Sequence, residues 1–401
     1  MKILVVNCGS SSLKYQLFDM DQEEVLTKGL VERIGGEGAR IEQKTPDREV
    51  YEKTASIPSH KEAVKAMFEA LTDPALGVIS DLSEINAVGH RVLHGGDVVI
   101  HSTLVDEACI KAVEANSKFG PLHNPPQLST IRACAALLGE GIPQVAVMDT
   151  AFHQTMPPEN YVYPIPYKYY EEDGVRRYGF HGTSHRYITK RAAQLLNIPE
   201  DRLNIISCHL GNGSSLCAVK NGKSYNTTMG LTALSGLPMG TRSGDIDLGI
   251  LIYLAQQKGL SIDDLDRVLN KESGVLGVSG LSSDFRDLEK AAEAGNERAR
   301  LALKIFHTSV RRFIGAYVAE LGRVDAITFT GGIGEHGAKD RAAICENLEI
   351  LGAKLDPAKN EAKGQKEWEI SAGDSKIKIW VIPTDEELMI ARDTQEIVEN
   401  L

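Results

Sequence analysis

Residues 5–18 read VVNCGSSSLKYQLF, and residues 205–219 read IISCHLGNGSSLCAV. Each begins with an apolar strand and a polar–Cys pair. A Gly/Ser turn follows, then Ser-Leu or Ser-Ser-Leu and a second strand of alternating or apolar residues. The two stretches lie about 200 residues apart in a chain of 401. A period of half the chain does not belong to a solenoid. It points to a duplicated domain, each copy opening with a strand–turn–strand that offers backbone N–H groups. Such turns suit phosphates, because converging N–H groups meet an anion with no side chain in the way.

Composition fits this reading. The formal charge is −11, with 42% hydrophobic and 25% charged residues, the balance of a folded chain of two or three domains. The pI near 5.6 argues against nucleic-acid binding, which needs a basic face. An anion site on such a chain must bring its own arginines and N–H groups. No apolar run reaches the length of a membrane span, and the apolar start Ile3–Val6 is too short for a signal-peptide core. The six cysteines are scattered without a C-x-x-C pair, so reduced thiols are expected rather than a disulfide framework or zinc site.

Between the two echoes, residues 85–92 and 145–148 read as strands, and a helix runs from the loop at 120–126 to about Leu138. The Pro- and Tyr-rich stretch 157–170 has linker-like composition, which places a domain boundary near 150. Expected domains are thus 1–150, completed by 386–401, and 151–385. Beyond it come a helix over 184–197, the second hairpin, a glycine-rich region over 230–249, helices over most of 250–322, a strand over 326–330, a strand over 377–382 and a final helix from about Asp385.

The standard P-loop is absent: Gly222-Lys223-Ser224 ends such a motif, but Cys217 stands where its first glycine belongs. Gly332–Gly337 matches G-x-G-x-x-G after a strand, yet no strand–helix–strand unit is evident behind it. A glycine turn against a nucleotide's adenosine fits better than a dinucleotide site. His90 and His94 have helical metal spacing within strand-like sequence, so no zinc site is expected there. Arg91, Asp149, His181 and Arg242 each lie at a strand end or among glycines, where substrate can approach closely. Arginine's planar fork suits phosphate and carboxylate oxygens. Thr384 and Glu387 have capping-box spacing, which would leave Glu386 free for another task.

Nine runs in order resemble the acetate kinase (acetokinase) family along essentially the whole chain. They are NCGSSSLKYQLF (7–18), GHRVLHGG (89–96), FGPLHNPP (119–126), DTAFHQTMP (149–157), RRYGFHGTSH (176–185), HLGNGSSLCAV (209–219), GLPMGTRSGDID (236–247), FTGGIGEHG (329–337) and PTDEELMIARD (383–393). The resemblance implies an α/β chain of two duplicated domains of the actin-like ATPase (ribonuclease H-like) fold with an interdomain cleft. It implies a homodimer and reversible transfer of a phosphoryl group from ATP to acetate with Mg²⁺ (Mn²⁺ being possible), in the cytoplasm that the scattered cysteines already suggest. By the same resemblance, Asn7 and Glu386 would sit at the metal and Lys14 at ATP. Arg91 would bind the substrate carboxylate or the transferring phosphoryl group. Asp149 would be the catalytic carboxylate, His181 and Arg242 would stabilise the transition state, and His123 would lie beside the phosphoryl site. The runs His209, Leu210, Gly211, Asn212 and Gly213, then Asp284, Phe285 and Arg286, then Gly331, Gly332, Ile333, Gly334 and Glu335 would line the nucleotide. His336 departs from the family, where asparagine is more usual.

Leu93, Leu122 and Phe180 flank the polar candidates and are read as an apolar wall for the substrate's methyl group. Two other readings stay open. One is a propionate or butyrate kinase with the same chemistry and a wider pocket. The other is an actin- or Hsp70-like ATPase switch, which explains the hairpins but not Arg91, His181 and Arg242 in glycine-rich settings.

Overall fold

The computed structural model describes residues 1–401 except Leu122, Glu140 and Lys363. The chain divides into two compact units, Met1–Ala151 with Asp385–Leu401, and Phe152–Thr384.

The first unit is built on an eight-stranded sheet of β1 (Lys2–Cys8), β2 (Ser12–Asp19), β3 (Glu24–Glu32), β4 (Arg40–Lys44), β5 (Tyr51–Thr54), β6 (Ala87–Val92), β7 (Thr103–Leu104) and β8 (Gln144–Met148). Their order is β5-β4-β3-β2-β1-β6-β8-β7. Strands β1, β2 and β3 form an antiparallel meander, and β6 and β8 then add parallel to β1. One sheet face packs Leu4, Val6, Leu13 and Leu17 under the helix His60–Leu71; the other packs Ile3, Val5 and Val145 under Ile390 and Ala391 of the C-terminal helix Glu386–Glu399. That second contact is close because residue 89 is glycine. A Cβ there would lie 2.4 Å from Thr394 Oγ1 and 2.7 Å from Ile390 Cγ2, so any side chain would push the helix carrying Glu386 off the sheet.

The second unit repeats this plan. Its six strands are β9 (Ile205–Leu210), β10 (Ser214–Lys220), β11 (Lys223–Thr227), β12 (Ala326–Thr330), β13 (Trp368–Glu369) and β14 (Lys378–Val381), in the order β11-β10-β9-β12-β14-β13. Again three antiparallel strands come first, and two parallel strands, β12 and β14, follow. Strand for strand, β1-β2-β3-β6-β8 and β9-β10-β11-β12-β14 share one topology, so the internal echo marks a duplicated α/β domain of ribonuclease H-like strand order. The main core of this unit lies between its sheet and the helix Glu297–Leu321, with Phe306, Val310, Ile314 and Phe329 fully buried.

Three local expectations are corrected. A strand–helix–strand unit does surround the G-x-G-x-x-G stretch: β12 pairs parallel with both β9 and β14, and the helix Ala338–Cys345 lies on the path from β12 to β14. The stretch 157–170 is folded into the second unit and is no linker. Its rings pack on one another at Tyr161 and Tyr170, and Asn160 Nδ2 donates to Tyr225 O at 2.8 Å. The final helix is capped by Asp385, whose carboxylate accepts from Leu388 N at 2.9 Å, and not by Thr384. Thr384 instead accepts a hydrogen bond from Ser184 Oγ, which leaves Asp385 as the capping side chain.

Candidate active site

In the first unit the polar candidates gather at the C-terminal ends of parallel strands, the place where open α/β sheets present ligand sites. Val6 of β1 pairs with His90 of β6, so Asn7 lies beside Arg91; Val92 pairs with Met148 of β8, and Asp149 follows. Arg91 Nε and Nη2 donate to the two Asp149 oxygens at 2.9 and 2.6 Å, a bidentate fork, and Nη1 donates to Asn7 Oδ1 at 3.3 Å. Asp149 is only 1% exposed and Arg91 23%. Burial alone would depress the Arg91 pKa, but Asp149, with Glu386 and Glu387 behind it, raises it above its ordinary value. Glu386 and Glu387 occupy the first turn of the C-terminal helix. Burial raises the pKa of Glu386 most; Arg91 and Lys14 oppose that rise and Asp149 adds to it.

Lys14 stands across from Asn7 in the β1–β2 ladder and is exposed. His123 is the N-cap residue of the helix Asn124–Leu138. Leu93 is 8% exposed, and its backbone N–H donates to Gln127 Oε1 at 2.9 Å. Leu122 lies outside the described residues.

The local charges are four carboxylates, Asp149, Asp385, Glu386 and Glu387, against Arg91 and Lys14. An excess of hard oxygen donors of this kind fits a divalent cation of the magnesium type, which needs only one or two protein carboxylates and keeps several waters. Among the described residues no cluster of three or more His, Cys, Asp or Glu forms a self-sufficient metal cage.

The second unit carries the other set. His181 holds a left-handed backbone (φ 56°) as the N-cap of the helix Gly182–Leu196. A non-glycine residue in that region stores strain of order 1–3 kcal/mol, a frequent mark of functional positions. His181 stacks on His209 with ring centroids 4.2 Å apart, and its Nδ1 lies 2.9 Å from Ser215 Oγ. The Nε2 edge of His181 and Nη1 of Arg242 both approach the turn between β9 and β10, at 3.7 and 3.8 Å from where a Cβ on Gly213 would sit. Arg242 Nη1 donates to Ala233 O at 3.0 Å and lies 3.6 Å from Met239 Sδ. It has no carboxylate partner among the described residues, and burial lowers its pKa. Arginine keeps its proton all the same, so this is a half-buried cation without a counter-ion.

A cavity of about 660 Å³ lies in the same unit, lined by Gly211, Asn212, Ser283, Asp284, Phe285, Arg286, Gly332 and Ile333, with Glu289, His336, Gly337 and Asp340 completing the wall. That volume suits a nucleoside-sized ligand. Gly331 (φ 75°) makes the turn behind it, where a Cβ would lie 2.6 Å from Leu210 O. Glu335 faces inward on the turn and accepts from Gly331 N at 2.9 Å, so it braces the loop. Asp284 caps the helix Phe285–Glu293, and hydrogen bonds from Arg286 hold its carboxyl down to about 2. Burial and the facing Asp340 push Glu289 up to about 7.

Most of the expected nucleotide residues therefore meet in one cavity or its backing. Gly213 and His209 adjoin His181 instead, and Leu210 and Gly334 are buried. Phe180 is 1% exposed, and its carbonyl lies 2.9 Å from His153 Nε2. Sequence reasoning missed Glu289 and Asp340 in the cavity wall, Glu387 in the first unit, and the serines and histidine behind His181. Glu289 alone had a local signal, one helical turn after Phe285.

Comparison with known proteins gives the relatives of the chain. The profile of the acetokinase family matches residues 2–392. An acetate kinase of Clostridium botulinum (strain Kyoto / Type A2) is 57% identical over 397 residues, covering 99% of both chains. The crystal structure of Porphyromonas gingivalis acetate kinase superposes with a TM-score of 0.94 at 45% identity, covering 99% of each chain. That of a propionate kinase from Francisella tularensis does so with 0.92 at 40%, again over 99% of each.

Proposed function

Because this chain belongs to the acetokinase family, we propose that it transfers the γ-phosphoryl group of ATP to acetate, reversibly, giving acetyl phosphate and ADP. The observation that carries the reading is the pair of arginines. One is oriented by Asp149 and one has no counter-ion among the described residues, which suits a reaction between two anions.

Acetate is ionised at pH 7, so it attacks phosphorus without a general base. Asp149 is then a positioning group: its bidentate grip aims Arg91, leaving Nη1 toward Asn7. Arg91 binds the carboxylate or an equatorial phosphoryl oxygen. Arg242 and the Nε2 edge of His181 supply donors to the charge that spreads over the phosphoryl oxygens during in-line transfer. The adenosine occupies the cavity at Gly332 and Phe285, and the N–H groups of the Gly211–Gly213 turn serve the phosphates. Asn7 and Glu386 would hold Mg²⁺, which when bound shields phosphate charge. Glu386→Gln should raise the Mg²⁺ concentration needed for half-maximal rate, and an unchanged requirement would remove Glu386 from the metal.

Substrate choice is the second question, since a propionate kinase is also similar. A methylene is worth about 1–3 kcal/mol in an apolar pocket, so propionate should be turned over more slowly than acetate. Hydroxamate trapping of the acyl phosphate, with ATP, Mg²⁺ and acetate, propionate or butyrate, tests both points. No hydroxamate with any acid would end the kinase reading in favour of an ATPase switch. A higher kcat/KM for propionate would reassign the substrate.

The resemblance to a homodimeric family also accounts for an otherwise unexplained surface. The helix Gly249–Lys258 has no buried residue, and Leu248, Ile252, Tyr253 and Ile262 are more than half exposed. A second copy covers this face in our reading. Light scattering should report a dimer that Ile252→Glu converts to monomer. No described helix is long and apolar enough to cross a membrane, and all six cysteines are unpaired and buried, which fits a cytoplasmic enzyme.

A further inference from the structure

Behind His181 runs a chain of buried hydrogen bonds. His181 Nδ1 lies 2.9 Å from Ser215 Oγ; the same oxygen lies 2.9 Å from His185 Nε2; His185 Nδ1 lies 2.9 Å from Ser207 Oγ. Ser207, Ser215 and His185 are fully buried. Elements of regular structure hold them: Ser207 is on β9, Ser215 on the neighbouring β10, and His185 one helical turn after His181. None of the three touches the adenosine cavity.

The chain has a direction. Burial, with His153 and His209 nearby, pushes the pKa of His185 well below its ordinary value, so the ring carries one proton and has one donor and one acceptor nitrogen. Suppose His181 Nδ1–H donated to Ser215. Ser215 would then donate to His185 Nε2, and His185 Nδ1–H would donate to Ser207. The Ser207 hydroxyl hydrogen would be left with no acceptor, because His185 is its sole hydrogen-bond partner among the described residues. A buried donor left unmade costs about 1–3 kcal/mol. In the opposite direction Ser207 donates to His185 Nδ1, His185 Nε2–H donates to Ser215, and Ser215 donates to His181 Nδ1. Every hydrogen between Ser207 and His181 Nδ1 then has an acceptor.

We propose that Ser215, aligned by His185 and Ser207, is a positioning residue that donates to His181 Nδ1 and so fixes the His181 proton on Nε2, the edge that faces the Gly213 turn beside Arg242. The alternative tautomer would turn a nitrogen lone pair toward the phosphoryl oxygens and repel them. The proposal deepens the phosphotransfer reading and rests on it for the use made of that proton. The wiring itself stands on the hydrogen-bond geometry, together with the burial that keeps His185 neutral.

The test is two-bond ¹H–¹⁵N correlation of the full-length protein labelled with ¹⁵N-histidine, the His181 signals being assigned by their loss in His181→Gln. Wild type at pH 7.5 should show His181 protonated at Nε2 and bare at Nδ1. Ser215→Ala should populate the Nδ1–H form and lower kcat about tenfold while KM for ATP stays within twofold. Ser215→Thr, which restores the hydroxyl, should recover both. A wild-type His181 protonated at Nδ1, or a tautomer unmoved by Ser215→Ala, overturns the wiring. A changed tautomer with unchanged kcat overturns its catalytic use, and with it the role of His181 in transfer, without touching the hydrogen-bond assignment.

Discussion

Arg91 and Arg242 are the same residue type in two opposite settings. Arg91 is gripped at both ends of its fork by the buried carboxylate of Asp149 and touches Asn7 as well. Arg242 has a carbonyl and a thioether for company, and burial weighs on its charge uncompensated. The contrast separates two uses of a guanidinium. The paired one is held in a fixed direction but has much of its field cancelled. The unpaired one keeps its field for whatever anion arrives. Alignment and neutralisation are different tasks, and each unit carries an arginine suited to one of them.

The largest expected effect is on the unpaired member. Arg242→Ala should lower kcat by about 10²–10³ and leave KM for ATP within about threefold, read by steady-state kinetics with acetate saturating. Lysine should restore little, since a point charge does not replace the planar fork. Stability sharpens the comparison further. Arg91→Ala strands the Asp149 carboxylate, and chemical denaturation should show a loss of roughly 2–3 kcal/mol, discounted from the fully buried case because Arg91 is partly exposed. Arg242→Ala removes a cation that has no carboxylate partner among the described residues, so its denaturation midpoint should stay level or rise. Equal losses in the two variants would show that Arg242, like Arg91, balances a charge of the folded chain and is not held free for an arriving anion.

A smaller effect is expected at Glu289, in the second unit's cavity. Its folded pKa of about 7 lies above the ordinary carboxylate value, about 4.3, so the folded chain holds an extra proton between those values. The stability this provides is complete below the lower value and is lost as pH rises through about 7. Glu289→Gln, neutral throughout, should therefore raise the Tm by about 1–2 °C at pH 8 and by less at pH 5.5. A fall in Tm at pH 8 would contradict the repulsion from Asp340.

The fold was legible because its decisive signal is local and repeated. Val5–Phe18 and Ile205–Val219 each carry strand, small-residue turn and strand in one stretch, and pairing Lys2–Cys8 with Ser12–Asp19 needs no distant partner. Arg91, Asp149, His181 and Arg242 could be singled out for a related reason: each stands at a strand end or among glycines, which is a local signal in the sequence. What escaped depends on register or on competition between neighbours. Ser207, His185 and Ser215 become one hydrogen-bond chain only when β9, β10 and the helix Gly182–Leu196 are laid side by side. Glu289 and Asp340 meet from two helices about 50 residues apart. At the last helix both Thr384 and Asp385 could cap. Spacing favoured Thr384, but its hydroxyl is taken by Ser184, and the carboxylate of Asp385 caps instead.

The central claim is that Arg242 acts on charge that exists only during transfer. It is tested most directly by the affinity of a planar metal-fluoride analogue of the phosphoryl group, bound with Mg²⁺, ADP and acetate, in wild type and Arg242→Ala. The account predicts that the analogue weakens by the same factor as kcat falls, with ADP affinity alone nearly unchanged. Equal weakening of ADP and of the analogue would contradict it, for Arg242 would then be an ordinary nucleotide-binding residue.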